Sequence, residues 1–210
     1  MLAVAAGAGF AVLTLPEAQP ALTDTIAANL RSSGVDNPVT AVLLNFRGYD
    51  TLLEIAVLLL AVIGIWSLAE MPGRRRVDPG LVLEFLVQVL APFMILLAGY
   101  LLWAGSHAPG GAFQSGAVLA AGVVLMMLAG VPLPAVAGEA LLRGLLVLGL
   151  VTFLAVGSTM IVVRGRFLEY PPVYGKHLIL LIEAAAAVSI GAILATAFRG
   201  GRPRSPDKAR

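Results

Sequence analysis

Long apolar stretches separated by short polar connections make up most of the chain. The six stretches cover residues 1–15, 51–69, 85–104, 113–133, 145–163 and 178–198. A helix that crosses a bilayer needs roughly 20 apolar residues, and all but the first stretch approach this length. A single span in lipid is helical because its backbone N–H and C=O groups must bond within the segment. The pattern therefore predicts an all-α, polytopic integral membrane protein with about six transmembrane helices.

The composition agrees with this pattern and excludes several functions. Hydrophobic residues form 59% of the chain and charged residues 12%, with a mean hydropathy of +0.94; soluble domains carry about 25% charged residues. The chain has no cysteine, which excludes disulfides, iron–sulfur ligation and thiolate metal sites within it. No basic arm with interleaved aromatic residues indicates nucleic-acid binding. No P-loop, nucleophile elbow or paired-histidine motif is present, so we expect neither an independent enzyme nor a bound metal or cofactor.

The basic residues predict how the chain is oriented. Arg74, Arg75 and Arg76 lie in one connection and five basic residues lie in the tail, with an even number of spans between them. Cytoplasmic loops are enriched in Lys and Arg, so we expect a multi-pass protein of the inner (cytoplasmic) membrane with both termini in the cytoplasm. The basic connection at 164–176 would be an exception to this rule. No Lys or Arg precedes the first stretch, which is expected to be a retained helix rather than a signal peptide.

The connection at residues 74–80 also divides the chain. Two predicted helices precede it and four follow it, and no internal repeat relates the two parts. We therefore predict a two-helix module at 1–73, a four-helix domain at 80–200 and a basic cytoplasmic tail at 201–210.

Three charged residues mark the start of the second stretch. Arg47, Asp50 and Glu54 stand three and four residues apart, so they share one face if they lie on one helix. An interfacial cluster in which Arg47 neutralises the acids explains Asp50, which lies at the boundary. Glu54 is followed by a long apolar run, and ionisable groups at membrane depth usually face a protein interior or a water path. We therefore predict that Glu54 is a buried, proton-exchanging carboxylate.

Glu183 interrupts the last apolar stretch. It lies roughly 8 Å or more deeper than His177 at the rise of an α-helix, and it shares a helical face with Lys176 but not with His177. Two interpretations stay open. The carboxyl group is either hydrogen-bonded to a neighbouring helix and kept neutral by desolvation, or it is a proton relay whose proton affinity is set by burial.

The stretch GSHAPGGAF at 105–113 breaks the apolar pattern most sharply. His107 is expected to be first a hydrogen-bonding residue of a turn and second a proton entrance. Pro109 suits the first turn of a helix. Gly110, Gly111 and Gly116 permit the close approach of another helix.

Two motifs resemble parts of Mrp-type sodium/proton antiporters. GSHAPGGAFQSGAVLAAGVVLMMLAG is similar to the Pro-Gly-Gly-Gly-Phe signature of the antiporter's B subunit, and this resemblance covers about 80–200. NFRGYDTLLE at 45–54 resembles the carboxyl-terminal module of the A subunit, which also occurs as a small separate protein in membrane-bound hydrogenases. Asn45 stands where the module has an acid, and Ala112 stands where the signature has its third glycine. The histidine also lies one position nearer the proline than in typical antiporter subunits. These departures favour a fused or divergent branch, such as a hydrogenase-like complex, rather than a standard antiporter.

The resemblance implies a membrane subunit that works with other membrane subunits, sodium ions and protons. Three functions stay open: an ion-path subunit of an antiporter, in which Glu54 and Glu183 exchange protons or contact cations; the equivalent subunit of a redox-driven, hydrogenase-like complex; or a purely structural subunit. We expect Glu54→Gln to lower exchange without loss of assembly if the residue belongs to the ion path.

Overall fold

A computed structural model describes residues 7, 9–10, 13–14, 21–68, 80–131, 139–171 and 173–201. Within these ranges every regular element is helical, which confirms the predicted all-α class. The elements are α1 (Ala21–Asn29), a 3₁₀ turn (Leu30–Ser32), α2 (Pro38–Ala41), a π-helical turn (Val42–Phe46), α3 (Gly48–Leu68), α4 (Gly80–Ala104), α5 (Ala112–Leu128), α6 (Glu139–Arg164) and α7 (Gly175–Arg199).

Four of these helices are long and apolar enough to cross a membrane. They are α3, α4, α6 and α7, and the 17-residue α5 is a shorter apolar helix. The predicted second to sixth stretches thus correspond to helices whose ends are shifted by a few residues. The first stretch lies largely outside the described residues, although 7, 9–10 and 13–14 are helical. The connection with Arg74, Arg75 and Arg76 and the tail beyond residue 201 also lie outside them.

Helix α7 is the centre of the bundle. In its most apolar part 61% of the residues are buried, compared with 11% in α4. Its isoleucines at 179, 182, 190 and 193 are almost fully buried, and α3, α5 and α6 all pack against it, while α4 packs mainly against α5. The outer face of α4 exposes large apolar side chains, as expected for a surface that lies against lipid or another membrane protein.

Glycines allow α5 and α6 to approach α7 closely. A Cβ atom at Gly116 would lie 2.8 Å from the Cβ of Ile190 and 2.9 Å from the carbonyl oxygen of Ala187. A Cβ atom at Gly149 of α6 would lie 2.9 Å from the Cα of Ala186. The hydrophobic effect does not drive helices together in lipid, so their association depends on van der Waals packing. Small residues at such contacts let the backbones approach closely enough for that packing.

Gly116→Val is expected to destabilise the bundle by about 1–3 kcal/mol, because the added methyl groups overlap α7 and the crowded atoms include backbone. The midpoint of thermal unfolding of the detergent-solubilised protein would fall. Gly99→Val is the control, since a Cβ atom on this helical glycine of α4 would meet nothing within 4 Å. Equal unfolding midpoints for the two variants would contradict the packing described.

Candidate functional site

The segment before α3 is fastened to the glycine-rich turn that follows α4. The side-chain amide of Asn37 donates hydrogen bonds to the carbonyl oxygens of Gly105 (3.0 Å) and Ala108 (2.8 Å). The backbone N–H of Asn37 donates to the carbonyl oxygen of Ser106 at 3.0 Å. Residues that are far apart in sequence therefore meet at one end of the bundle.

A π-helical turn precedes α3 and is held by side chains from elsewhere. A π turn leaves carbonyl groups outside the regular helical pattern. Here Thr51 donates to the carbonyl oxygen of Leu43 at 2.8 Å, and the hydroxyl of Tyr170 donates to that of Leu44 at 3.0 Å. Asn45 donates its side-chain N–H to the carbonyl oxygen of Ser33 at 3.2 Å. This is the position at which the related module has an acid. An ionised acid at this position has no proton to donate.

Tyr170→Phe is expected to cost about 1 kcal/mol near neutral pH, because it leaves the Leu44 carbonyl oxygen without its buried donor. Tyr170 lies in the connection between α6 and α7, and burial raises the pKa of its hydroxyl above the ordinary value. The unfolded chain therefore releases this proton first. The contribution of Tyr170 is present below pH about 10 and is lost as the pH rises further.

The midpoint of chemical unfolding, measured from pH 8 to 11, checks this expectation. The wild type should lose stability more steeply above pH about 10 than Tyr170→Phe. Tyr174→Phe is the control because Tyr174 is 62% exposed. Identical pH dependence of wild type and Tyr170→Phe would show that the hydroxyl is not the group involved.

The glycine-rich turn forms a cradle for the carboxyl group of Glu183. A Cβ atom at Gly111 would lie 2.8 Å from the Oε1 of Glu183, and one at Gly105 would lie 3.3 Å from the same oxygen. The backbone N–H of Ala112 donates a hydrogen bond to this carboxyl group. Ala112 is the first residue of α5, so the positive end of the helix dipole faces the carboxyl group. The interruption of the apolar pattern at 105–113 thus gives Glu183 a polar environment inside the bundle.

Only one oxygen of this carboxyl group is satisfied by the described part of the chain. Glu183 is 4% exposed, and its Oε2 is buried without a hydrogen-bond partner among the described residues. A buried polar oxygen without a partner is costly. Oε2 is therefore the atom of this site that is free to take a proton or to contact a polar guest.

Glu183 and Glu54 line the same cavity. This cavity has a volume of about 260 Å³, and its polar lining residues are Thr40, Thr51, Glu54, Gln114 and Glu183. Glu54 comes from α3, Gln114 from α5 and Glu183 from α7. The fold therefore brings together two carboxyl groups that are far apart in sequence.

Glu54 differs from expectation in its burial. Its side chain is exposed, so the prediction that the chain buries it is wrong. Glu54 also lines an open groove of about 830 Å³ between α3, α5 and α7, together with Asp50 and apolar residues such as Phe113. The reason lies in the packing, because α3 packs against α6 and α7 and no described helix covers its groove side.

The other predicted polar residues lie near this site in different roles. Arg47 is not on the same helix as the acids, because α3 begins at Gly48, yet it forms an ion pair with Asp50. Both side chains are well exposed, so this pair contributes little to stability. His107 is exposed; its Nδ1 lies 3.0 Å from the Oγ of Ser106, and its ring contacts Trp103 edge-on.

Pro109 does not begin a helix, contrary to expectation. The N-cap of α5 is Gly111, whose φ of 110° and ψ of −169° lie in a region that is open almost only to glycine. This conformation ends the turn, and the helix begins three residues later than it would with Pro109 at its first position. The backbone N–H of Gly111 donates to the carbonyl oxygen of Leu101 at 2.8 Å, and a Cβ atom at Gly110 would collide with that same oxygen.

No three metal-ligating side chains gather within the described ranges.

The fold defines a polytopic membrane protein, and the comparison with known families gives its class. A family described as "Domain related to MnhB subunit of Na+/H+ antiporter" matches residues 82–198, more than half of the chain. The chain therefore belongs to this family, which confirms the resemblance drawn from the sequence. A second family, the E subunit of MBH, matches residues 1–79.

The individual relatives are antiporter and respiratory membrane proteins. A probable K(+)/H(+) antiporter A/B subunit of Rhizobium meliloti (strain 1021) is 28% identical over 163 residues, which is 62% of this chain and 16% of the relative. A chain of the Mrp complex from Dietzia sp. DQ12-45-1b has the same fold, with a TM-score of 0.73 and 21% identity over 97% of this chain and 25% of that one.

A chain of the membrane-bound sulfane sulfur reductase (MBS), an archaeal respiratory membrane complex, has a TM-score of 0.71 and 25% identity. That match covers 93% of this chain and 91% of the other. The chain thus spans a small part of its antiporter relatives and nearly the whole of the MBS chain.

Proposed function

We propose that this chain is a membrane subunit of an Mrp-type cation/proton antiporter. In this proposal Glu54 and Glu183 handle protons or cations, and the rest of the bundle joins other membrane subunits. The observation that carries the proposal is the shared cavity, because it is lined by both carboxyl groups and one of them is buried with an unpaired oxygen. Ionisable side chains within a membrane-spanning bundle commonly mark ion and proton paths, and this cavity is lined by two of them.

The arrangement gives the two carboxyl groups different tasks. Glu183 is enclosed by the bundle, so a proton on it is shielded from the lipid. Glu54 lines both the shared cavity and the open groove, so it is placed to exchange ions with whatever lies in the groove. Asp50 also lines the groove but is paired with Arg47, so the carboxyl group of Glu54 is the one available to attract cations there. The proposed path therefore runs sideways from Glu183 to Glu54 and on toward a neighbouring membrane protein of the complex.

The match of two families to successive parts of the chain supports a two-module organisation. The proposed modules are residues 1–73 and 80–200, followed by the basic tail at 201–210.

The proposed location is the inner membrane with both termini in the cytoplasm. Because the natural chain has no cysteine, cysteines introduced singly near each terminus and labelled with an impermeant maleimide on intact cells test this orientation.

Glu54→Gln is expected to lower cation/proton exchange about tenfold, because glutamine keeps the shape of the side chain but cannot release a proton. The measurement is Na⁺- or K⁺-induced collapse of the pH gradient in everted vesicles that contain the whole complex. The use of both cations also tests which one is exchanged. Glu84→Gln makes the same chemical change on an exposed position of α4 and is expected to leave exchange unchanged.

The outcomes of this experiment separate an ion-path role from a structural one. Loss of exchange with a normal yield of the complex supports the ion path. Loss of the complex itself would indicate a structural role for the chain, and unchanged exchange would remove Glu54 from the path.

A redox-driven complex is the second candidate, favoured by the match to nearly the whole length of the MBS chain. The subunit inventory decides between the two. The complex is purified through a tag at the carboxyl terminus in mild detergent, and its chains and bound metals are identified by mass spectrometry and metal analysis. Membrane subunits without iron support the antiporter, whereas partners that contain iron–sulfur or nickel centres would place the chain in a redox-driven pump.

A further inference from the structure

A second cavity also reaches Glu183. It has a volume of about 130 Å³ and is lined by Trp103, Ser106, Lys176, His177, Ile179, Leu180 and Glu183. Among the described residues, Glu183 alone lines both this cavity and the larger one shared with Glu54. Glu183 therefore lies between the two cavities.

The second cavity lies at the end of the bundle where the chain reverses. Ser106 belongs to the turn after α4, and Lys176 and His177 belong to the first turn of α7. A Cβ atom at Gly34 would lie 3.3 Å from the backbone of Gly175, so the segment before α3 meets α7 at this same end. Lys176 and His177 are both exposed. The cavity thus leads from the surface of the protein toward the buried residue Glu183. Glu183 lies six residues after His177, or roughly 9 Å further along α7.

The chemistry of the lining residues suits protons rather than metal cations. Imidazole exchanges protons near neutral pH, and His177 stands at the outer end of the cavity. Lys176 places a fixed positive charge beside it, which repels metal cations. The groove beside Glu54 differs, because its ionisable lining residues are two acids, Glu54 and the Arg47-paired Asp50. The two ends of the path are therefore chemically different, one basic and one acidic.

We propose that the cavity between Trp103, Ser106, Lys176 and His177 is the proton entrance of the path, and that His177 exchanges protons between the medium and Glu183. This inference rests on the proposed function and identifies where protons enter the proposed path. It also assigns this task to His177 rather than to His107, which contacts Trp103 and Ser106 but is not among the residues that line the cavity.

Two substitutions of nearly equal shape test the proposal in vesicles that contain the whole complex. His177→Gln removes the group that exchanges protons, and we expect the maximal exchange rate to fall about fivefold while the half-saturating cation concentration stays within about twofold. His177→Glu supplies a different proton-exchanging group, and we expect it to restore most of the rate. A purely structural role for His177 would not distinguish glutamine from glutamate in this way.

His107→Gln is the matched control and is expected to exchange at the wild-type rate. Wild-type exchange by His177→Gln, or equal loss in His177→Gln and His177→Glu, would overturn the proposal. Failure of the wider function is recognised separately, because it would show as unimpaired exchange in Glu183→Gln. Loss of exchange in Glu183→Gln together with normal exchange in both His177 variants would reject the entrance alone.

Discussion

Glu183→Gln is expected to reduce cation/proton exchange about tenfold or more while the complex assembles normally. Glutamine fills the same space and can still accept the hydrogen bond from the N–H of Ala112, so the cradle is retained. What is lost is the exchangeable proton on the residue that lines both cavities. The rate of exchange in everted vesicles, normalised to the amount of complex, checks the expectation.

Two further variants make this test specific to the position. Glu139→Gln removes a carboxyl group from an exposed ion pair with Arg143, whose atoms lie 2.5 Å apart, and it should exchange normally. Glu183→Asp keeps the proton but shortens the side chain, so it should retain more activity than Glu183→Gln. Unimpaired exchange by Glu183→Gln would exclude the buried carboxyl group from the path.

Gly111→Ala is expected to have the second large effect, on stability and on exchange together. The backbone of Gly111 adopts a conformation that costs other residues about 1–3 kcal/mol. The new methyl group would also stand 2.8 Å from the Oε1 of Glu183, so the carboxyl group must move and lose its bond to Ala112. We expect a lower unfolding midpoint in detergent and a fall in exchange of about tenfold.

A double variant separates the two causes. In a Glu183→Ala background the methyl group of Gly111→Ala no longer meets a carboxyl group, so the substitution should cost only the backbone strain. Gly144→Ala, at a helical glycine with nothing within 4 Å of its Cβ position, should be neutral or slightly stabilising. An equal cost of Gly111→Ala in both backgrounds would show that the close approach to Glu183 has no energetic consequence.

The glycine-rich turn shows how much the sequence revealed about the site. The motif was visible because His107, Pro109 and the glycines break an apolar pattern, and its likeness to antiporter subunits followed from the same residues. The role of those glycines was not visible. The sequence predicts helix packing for all three. Gly116 does lie against α7, but Gly111 instead makes room for a side chain from α7. No local pattern connects residue 111 with residue 183.

Some residues that line the site are not indicated by any pattern in the sequence. Thr40, Thr51 and Gln114 line the shared cavity but are ordinary polar residues of a helix end or a helix face in the sequence. Helical periodicity also placed His177 off the face that carries Glu183, yet both line the smaller cavity. A cavity is bounded by several helices, so the side chain of a residue on a neighbouring face can still reach it.

The sequence by itself determined that this is an all-α membrane protein, where its long helices lie and which family it belongs to, because apolar length and local motifs are properties of consecutive residues. The tertiary structure decided which carboxyl group is enclosed and which is open. Glu183 is buried because α7 is surrounded by α3, α5 and α6, whereas Glu54 is exposed because one side of α3 has no neighbour among the described helices. Burial depends on which helices pack together, and that arrangement follows from contacts between residues that are distant in sequence.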